Sequence, residues 1–546
     1  MNRSPAQIFS SHLLAGLASG GVSSIFVSPG SRSQALAIAA WQLAEAGVVG
    51  LRVRIDERSA AFQALGVGKV TQTPAIAICT SGTAVANYHP AVLEAFHSGV
   101  PMLLLTADRP SELRGTGANQ TTDQVGIYAG AVLRCIDVPA PADDESDEEL
   151  AYRASFLVDQ IWEAMAERPG PVQVNVCLRE PLSATAPNAA ELFAKLMAGA
   201  EDGEESSESG CGEDCACHQN EFADGATLVD LRLPTVVVAG DGGHLAQYYC
   251  TGVPVFAEPS SGARHLGESI PGYLAAMQAS PHLVEQIEQV LVFGKPTLSR
   301  AIQALLKRPG MRVIVEPGNH DAVRPRPEAI LLGNSVDLVG EPRMEWLEAW
   351  REAAAAVATL ASSEPDEAVT RRSLIEAVYD SSDANTPLLL GASSLIREAD
   401  RWAPAKELPV YSNRGLAGID GTVATGIGLA MATAQNTEKA PQVRVLLGDV
   451  TVLHDAGSFS VDEHDHALNL QVIVGNDNGG SIFSGLEVAQ SIAGEPFEKL
   501  FRTPQKVSLK ALAEAYGWNY LLVSRNHDLT QALKTAGLVL IEVQLA

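Results

Sequence analysis

Two acidic residues, Asp449 and Asp477, each follow a short apolar run, Val443 to Leu447 before the first and Leu470 to Val474 before the second. They sit in Gly448-Asp449-Val450 and Asn476-Asp477-Asn478-Gly479-Gly480. An acid at each of two strand ends can set two hard oxygen ligands around one Mg²⁺, which usually completes its shell with phosphate oxygens and water. The glycines let backbone approach a diphosphate closely. Gly-Asp and Asn-Gly are also ordinary turn chemistry. Taken with the turns described next, the pair points to a metal–diphosphate anchor.

Similar turns recur along the chain. Ser28-Pro29-Gly30-Ser31-Arg32-Ser33 follows an apolar run. Its backbone N–H groups and Arg32 could take a carboxylate or phosphate; the segment alone equally fits a capped helix with a solvated arginine. Ile55-Asp56-Glu57-Arg58 sets an acidic pair before a helical pattern. Those acids either complement a helix start or make Glu57 a buried carboxyl facing a cofactor ring nitrogen, and the segment leaves both open. Thr80-Ser81-Gly82-Thr83-Ala84, Thr106-Ala107-Asp108-Arg109-Pro110 and Gly117-Ala118-Asn119-Gln120 add small donors and a second arginine. Later come Gly391 to Arg397, Tyr411 to Gly415 and Gly418-Ile419-Asp420-Gly421, the last with one apolar residue in a glycine-rich turn. In α/β sheets ligands gather at the C-terminal strand ends, so the turns of the first part suggest one shared cleft.

The elements that must position these residues are short continuous apolar runs alternating with helical patterns. Strands are expected at 24–28, 75–79, 102–106, 172–176, 235–239, 289–293, 312–315, 387–390, 443–447, 470–474 and 539–543. Such runs belong to parallel sheets covered on both faces, so the fold class is α/β with doubly wound parallel sheets. Two breaks divide the chain. Residues 199–224 are acidic, Ser/Gly-rich and poor in large apolar side chains, which predicts a disordered or looped insertion. Residues 362–367 form a polar link after an Ala-rich helix. Expected domains are 1–185, 225–360 and 365–546, with 186–224 as an acidic linker. Cys211, Cys215, Cys217 and His218 fall in that insertion; their irregular spacing favours an unstructured tract over a metal site. Ala239-Gly240-Asp241-Gly242-Gly243 hints at a dinucleotide turn without its full fingerprint.

The 546 residues carry 38 basic and 65 acidic side chains, a formal net charge of −27. That field disfavours nucleic acid and anionic membrane. Anionic substrates would need locally clustered arginine. No charge-free apolar run is long enough to span a bilayer, and the N-terminal pattern is no secretory signal. An odd number of cysteines, seven, fits a reducing cytoplasm better than a disulfide framework.

Together, Ser28–Ser33, Asp56–Phe62, Thr80–Ala86, Thr106–Pro110, Gly117–Gln120, Tyr411–Gly421 and Asn476–Phe483 make the chain resemble, over nearly its whole length, the 2-succinyl-5-enolpyruvyl-6-hydroxy-3-cyclohexene-1-carboxylate synthases. These are thiamine-diphosphate (ThDP) enzymes of menaquinone biosynthesis. The resemblance implies pyrimidine-binding, central and diphosphate-binding domains, and a homodimer or homotetramer with the cofactor between domains of two subunits. It implies that Glu57 holds the aminopyrimidine and favours its imino tautomer, and that Ile419 bends ThDP. Asp449, Asp477 and the Gly479 carbonyl would bind Mg²⁺, with Mn²⁺ as a substitute. Ser81, Gly82, Thr83 and Gly448 would complete the cofactor contacts. Ser31, Arg32, Arg109, Gln120, Arg300, Ser393, Arg397 and Arg414 match substrate-contacting positions, with Ile482, Phe483 and Leu486 as apolar walls. Ser299 departs from the lysine of some members, Val450 from a glycine and Asp477 from an asparagine of broader ThDP enzymes. The implied reaction decarboxylates 2-oxoglutarate and adds the succinyl unit, carried on ThDP, to isochorismate. The rivals are an acetolactate-synthase-like carboligase, which would add FAD, and a non-catalytic scaffold on the same fold. No strong FAD signature is present, and intact Glu57, Asp449 and Asp477 speak against the scaffold.

Overall fold

The computed structural model describes residues 3–204, 227–316, 328–332, 336–361, 367–435, 437 and 439–546. Within them β1 (Ser24–Val27), β2 (Gly50–Val53), β3 (Ala75–Cys79), β4 (Met102–Asp108), β5 (Arg134–Val138) and β6 (Pro171–Cys177) form one sheet in the order β2-β1-β3-β4-β6-β5. A two-stranded sheet pairs β7 (Thr227–Asp230) with a later strand, β13 (Val336–Val339). The central sheet holds β8 (Thr235–Ala239), β9 (Val255–Ala257), β10 (Gln289–Phe293), β11 (Arg312–Val315) and β12 (Ile330–Leu331), in the order β12-β11-β10-β8-β9. The last sheet holds β14 (Leu388–Leu390), β15 (Val410–Ser412), β16 (Val443–Gly448), β17 (Leu470–Asn476), β18 (Asn519–Val523) and β19 (Leu538–Gln544). Its order, β15-β14-β16-β17-β19-β18, repeats that of the first sheet strand for strand.

All strand pairings in these sheets are parallel. The inner strands are buried on both faces; β3, β4 and β6 have no exposed residue. That is the burial an apolar run such as β3 requires; in β6 Gln173 and Asn175 break the run and are buried by donating to the Gln124 carbonyl and to Asp108. Every expected strand is present. The unexpected ones include the edge strands β2, β5, β15 and β18, each of which is only partly buried. The acidic tract 143–149 opens the helix Asp147–Ala166 through a capping box between Ser146 and Glu149.

Contacts divide the chain into two units, the first residues 1–220 with 427–435 and 460–465, the second the remainder. Polar ties explain this grouping. In the first unit Asp465, fully buried, pairs with Arg54 and, at 2.8 Å, with Arg52. In the second, Arg264 after the central strand β9 donates to the carbonyls of Asp400 at 3.0 Å and Ala403 at 2.7 Å, so the central and last sheets fall in one unit.

The 199–224 tract is not loop from its start, contrary to expectation. The helix Ala189–Glu204 runs through the first residues of the 199–224 tract, because Ala, Leu, Lys and Glu favour helix over loop. The remainder of that tract, with Cys211, Cys215, Cys217 and His218, lies outside the described residues, as do 362–366 of the polar link. Cys79, Cys135, Cys177 and Cys250 are free thiols. Among the described residues no helix is long and apolar enough to cross a membrane.

Candidate active site

In the first unit the strand-end turns converge as their spacing suggested. Gly82 follows β3 with φ 85°, and Gln120 has φ 55°. A Cβ on Gly82 would meet the Gln120 side chain at 3.0 Å, so glycine is required twice over. The Ser81 hydroxyl donates to the Gln120 carbonyl at 2.9 Å and accepts from Arg109 Nη1 at 2.6 Å. Gln120 Nε2 returns a bond to the Ser81 carbonyl. Thr83 opens the helix Thr83–Asn87 and is exposed. Arg32 donates to the Leu178 carbonyl at 3.0 Å. Burial, and then the charge of Arg109, holds its guanidinium below the usual arginine range. Two arginines therefore share this crevice, with Ser31 exposed beside them. Glu57 starts the helix Glu57–Thr71, which Asp56 caps. It is half-buried rather than enclosed, and its Oε2 accepts from Asn87 Nδ2 at 3.2 Å.

In the second unit the acidic pair sits at the ends of β16 and β17. Asp449 is 7% exposed, and its Oδ2 accepts the Gly479 N–H at 2.7 Å. Burial raises its carboxyl above the ordinary range, and the charge of Asp477 pushes the same way. Asp477 pairs with Arg371, and Arg502 donates to its carbonyl at 2.8 Å. Gly479 has φ 124°, and a Cβ there would strike the Arg502 carbonyl at 2.2 Å. Two mutually repelling carboxylates beside a glycine cradle suit a hard divalent cation. Among the described residues no three His, Cys, Asp or Glu side chains gather as a metal cluster. Two carboxylates and a carbonyl fill half a Mg²⁺ shell and leave the rest to phosphate and water, so the donor set fits Mg²⁺ held together with a diphosphate. Ile419 is half-buried in the turn before the helix Thr422–Ala434. Asp455 fixes that helix start by accepting from Val423 and Ala424 N–H at 2.8 and 3.0 Å.

A cavity of about 1760 Å³ opens beside this anchor. Arg300, Arg371, Arg372, Arg397 and Arg401 line it, as do Ile482 and Leu486. This is the local arginine cluster that anionic ligands would demand of so acidic a chain. Ser393 holds φ 91°, a strained value for a residue with a Cβ. Its carbonyl accepts from Arg397 Nη1 at 2.5 Å. Burial, then Arg414, holds Arg397 below the usual arginine range. Arg414, 3% exposed, donates to Thr297 Oγ1. Phe483 is not on the cavity wall; its ring lies 5.7 Å from that of Phe501. Arg300 pairs with Glu487 at 3.1 Å on an exposed rim. Ser299 caps the helix Arg300–Leu306 by accepting from Ala301 N–H at 3.1 Å, which gives that serine a structural task. The Gly240–Gly243 turn makes room for the chain itself, since a Cβ on Gly240 would meet Pro296 N at 2.0 Å. Arg371, Arg502 and Thr297 were not singled out in the sequence.

Comparison with known proteins accounts for both halves. Residues 9–127 match the family model "Thiamine pyrophosphate enzyme, N-terminal TPP binding domain". Residues 400–543 match "Thiamine pyrophosphate enzyme, C-terminal TPP binding domain". The 2-succinyl-5-enolpyruvyl-6-hydroxy-3-cyclohexene-1-carboxylate synthase of Leifsonia xyli subsp. xyli is 41% identical, over 99% of this chain and 96% of that protein. The synthase of the same name from Clavibacter michiganensis subsp. michiganensis is 42% identical, over 98% and 95%. That of Saccharopolyspora erythraea is 34% identical, over 100% and 96%. With relatives this similar along their full lengths, the chain belongs to the 2-succinyl-5-enolpyruvyl-6-hydroxy-3-cyclohexene-1-carboxylate synthase family of ThDP enzymes.

Proposed function

We propose that the protein catalyses the ThDP- and Mg²⁺-dependent decarboxylation of 2-oxoglutarate and the addition of the resulting succinyl unit to isochorismate. The observation that carries this reading is one segment, 477–486. Its first residue is an anchor carboxylate, and Ile482 and Leu486 line the arginine-rich cavity. Bound ThDP supplies the carbanion chemistry, and the protein supplies orientation and electrostatics. In this reading Asp449, Asp477 and the Gly479 carbonyl hold the metal, with Gly448 at the diphosphate. Glu57 holds the aminopyrimidine, Ser81, Gly82 and Thr83 line the cofactor, and Ile419 bends it. Arg397 and Arg414, with Ser393, take substrate carboxylates. Ile482 and Leu486 form the apolar wall, and Phe483 lies off it against Phe501. Arg32, Arg109, Gln120 and Ser31 form a second anion-binding cluster, and Arg300 guards the rim. The reading includes three domains (1–185, 225–360, 365–546), a homodimer or homotetramer, and a cytoplasmic setting, which the free thiols suit.

Purified protein with ThDP and Mg²⁺ is expected to release CO₂ from 2-oxoglutarate and to consume isochorismate. Release from pyruvate alone would instead favour an acetolactate-type carboligase. A second outcome concerns the cavity. A lysine cannot reproduce the directional fork of arginine on a carboxylate. Arg397→Lys is expected to raise KM for at least one substrate about tenfold or more, ~1.4 kcal/mol of lost binding, while ThDP affinity barely changes. Wild-type KM for both substrates would remove Arg397 from the site.

A further inference from the structure

Glu258 is a buried carboxyl that the reading above leaves without a task. It directly follows β9 and is 1% exposed. Its Oε1 accepts two backbone N–H bonds, from Thr297 and Leu298, each at 2.8 Å. Thr297 in turn gives its hydroxyl oxygen to Arg414, which donates from Nε at 3.1 Å and from Nη2 at 2.6 Å. Lys295, two residues earlier, donates to the Gly415 carbonyl, so the 295–298 loop grips 414–415 at two points. The other Glu258 oxygen, Oε2, is buried without a hydrogen bond.

That unpaired oxygen calls for a reason, since a buried polar atom left unsatisfied is destabilising. A glutamine would accept the same two N–H bonds. The carboxyl also faces the guanidinium groups of Arg414 and Arg397. Asp400 is the second buried carboxyl of this cluster. It accepts from Tyr273 Oη at 3.0 Å and lies 3.7 Å from Arg264. Burial, with the Asp400 charge adding to it, pushes the Glu258 carboxyl well above the usual range. The cluster thus sets two buried carboxyls at the root of two arginines, of which Arg397 reaches the cavity wall.

We infer that Glu258 is a positioning residue for substrate binding: through the 297–298 backbone and the Thr297 hydroxyl it holds the Arg414 guanidinium in the one orientation that receives a substrate carboxylate. This rests on the reading of Arg414 as a substrate contact. A guanidinium fixed before binding loses little rotamer freedom when the carboxylate arrives, so less of the binding free energy goes into ordering it. Its loss therefore falls on KM rather than on kcat.

The test uses the ThDP- and Mg²⁺-loaded full chain with four variants, Glu258→Ala, Glu258→Gln, Thr297→Val and Arg414→Ala, each checked for an intact melting transition. Arg414→Ala is expected to raise KM for one substrate. Glu258→Ala and Thr297→Val are expected to raise KM for that same substrate by about fivefold to tenfold, with kcat little changed. Glu258→Gln should recover most of the loss, because its amide oxygen still accepts both N–H bonds. Glu258→Ala combined with Arg414→Ala should be no worse than Arg414→Ala alone. Should Glu258→Ala fail to fold, Thr297→Val carries the test, since its valine leaves the backbone bonds to Glu258 in place. Wild-type KM in Thr297→Val, alongside a raised KM in Arg414→Ala, overturns the inference and leaves the functional reading standing. An unchanged KM in Arg414→Ala removes that arginine from the site, and the inference falls with it. Effects that multiply in the double variant place Glu258 on some other path and also overturn it.

Discussion

Asp449→Ala combined with Asp477→Ala is expected to abolish metal-dependent ThDP binding. Calorimetric titration of the wild type should show tight binding that EDTA removes; the double variant should bind weakly with or without metal. Loss of a residue that merely supports a metal ligand typically costs about 10–100-fold in affinity. Loss of both carboxylates should exceed that range. The variant should nonetheless fold. Asp449 is a carboxyl whose burial disfavours its charged form, and relief from that offsets the loss of its hydrogen bond from the Gly479 N–H. Asp477 leaves behind Arg371, whose side chain is 36% exposed and can hydrate. An unchanged or raised melting temperature without metal, together with lost ThDP binding, is the expected signature. Undiminished, EDTA-sensitive binding by the double variant would place the anchor elsewhere.

Glu57→Gln is the second large effect. Glu57 begins its helix, and Asn87 fixes one of its oxygens. A glutamine can keep a carbonyl oxygen for that bond, so the local structure should persist. What it cannot do is support the proton shift on the aminopyrimidine. Removing such a proton relay costs on the order of 10²–10⁴ in rate. The decisive measurement is proton–deuterium exchange at the thiazolium carbon of bound ThDP, which isolates the step from substrate binding. Exchange at the wild-type rate would take Glu57 out of the mechanism.

The inner strands of all three larger sheets were legible because burial on both faces writes an unbroken apolar run. Edge strands escape that rule. β2 and β18 carry exposed positions, Gly50 and Val53 in one and Asn519 and Leu522 in the other, so neither is a run buried on both faces. β9 has only three residues, too few for a periodic signal, and Glu258 went unnoticed for that reason. It is nevertheless an acid directly after a strand, the pattern that marked Asp449 and Asp477, and knowledge of β9 would have exposed it. Arg371 is different in kind. It lies in the first turn of its helix, 106 positions before Asp477, and nothing local announces the ion pair. Ser81, Arg109 and Gln120 were each readable as turn residues; their mutual hydrogen bonds depend on β3 and β4 lying side by side.

The repeated strand order of the first and last sheets gives one chain two crevices of the same kind. In both, the order reverses beside the first strand, where doubly wound sheets open a crevice. The two sets of strand ends are furnished differently: the first sheet carries Ser81, Gly82 and the buried Asp108, the last carries Asp449 and Asp477. A substitution that weakens either set therefore has no duplicate in the other sheet to make good the loss.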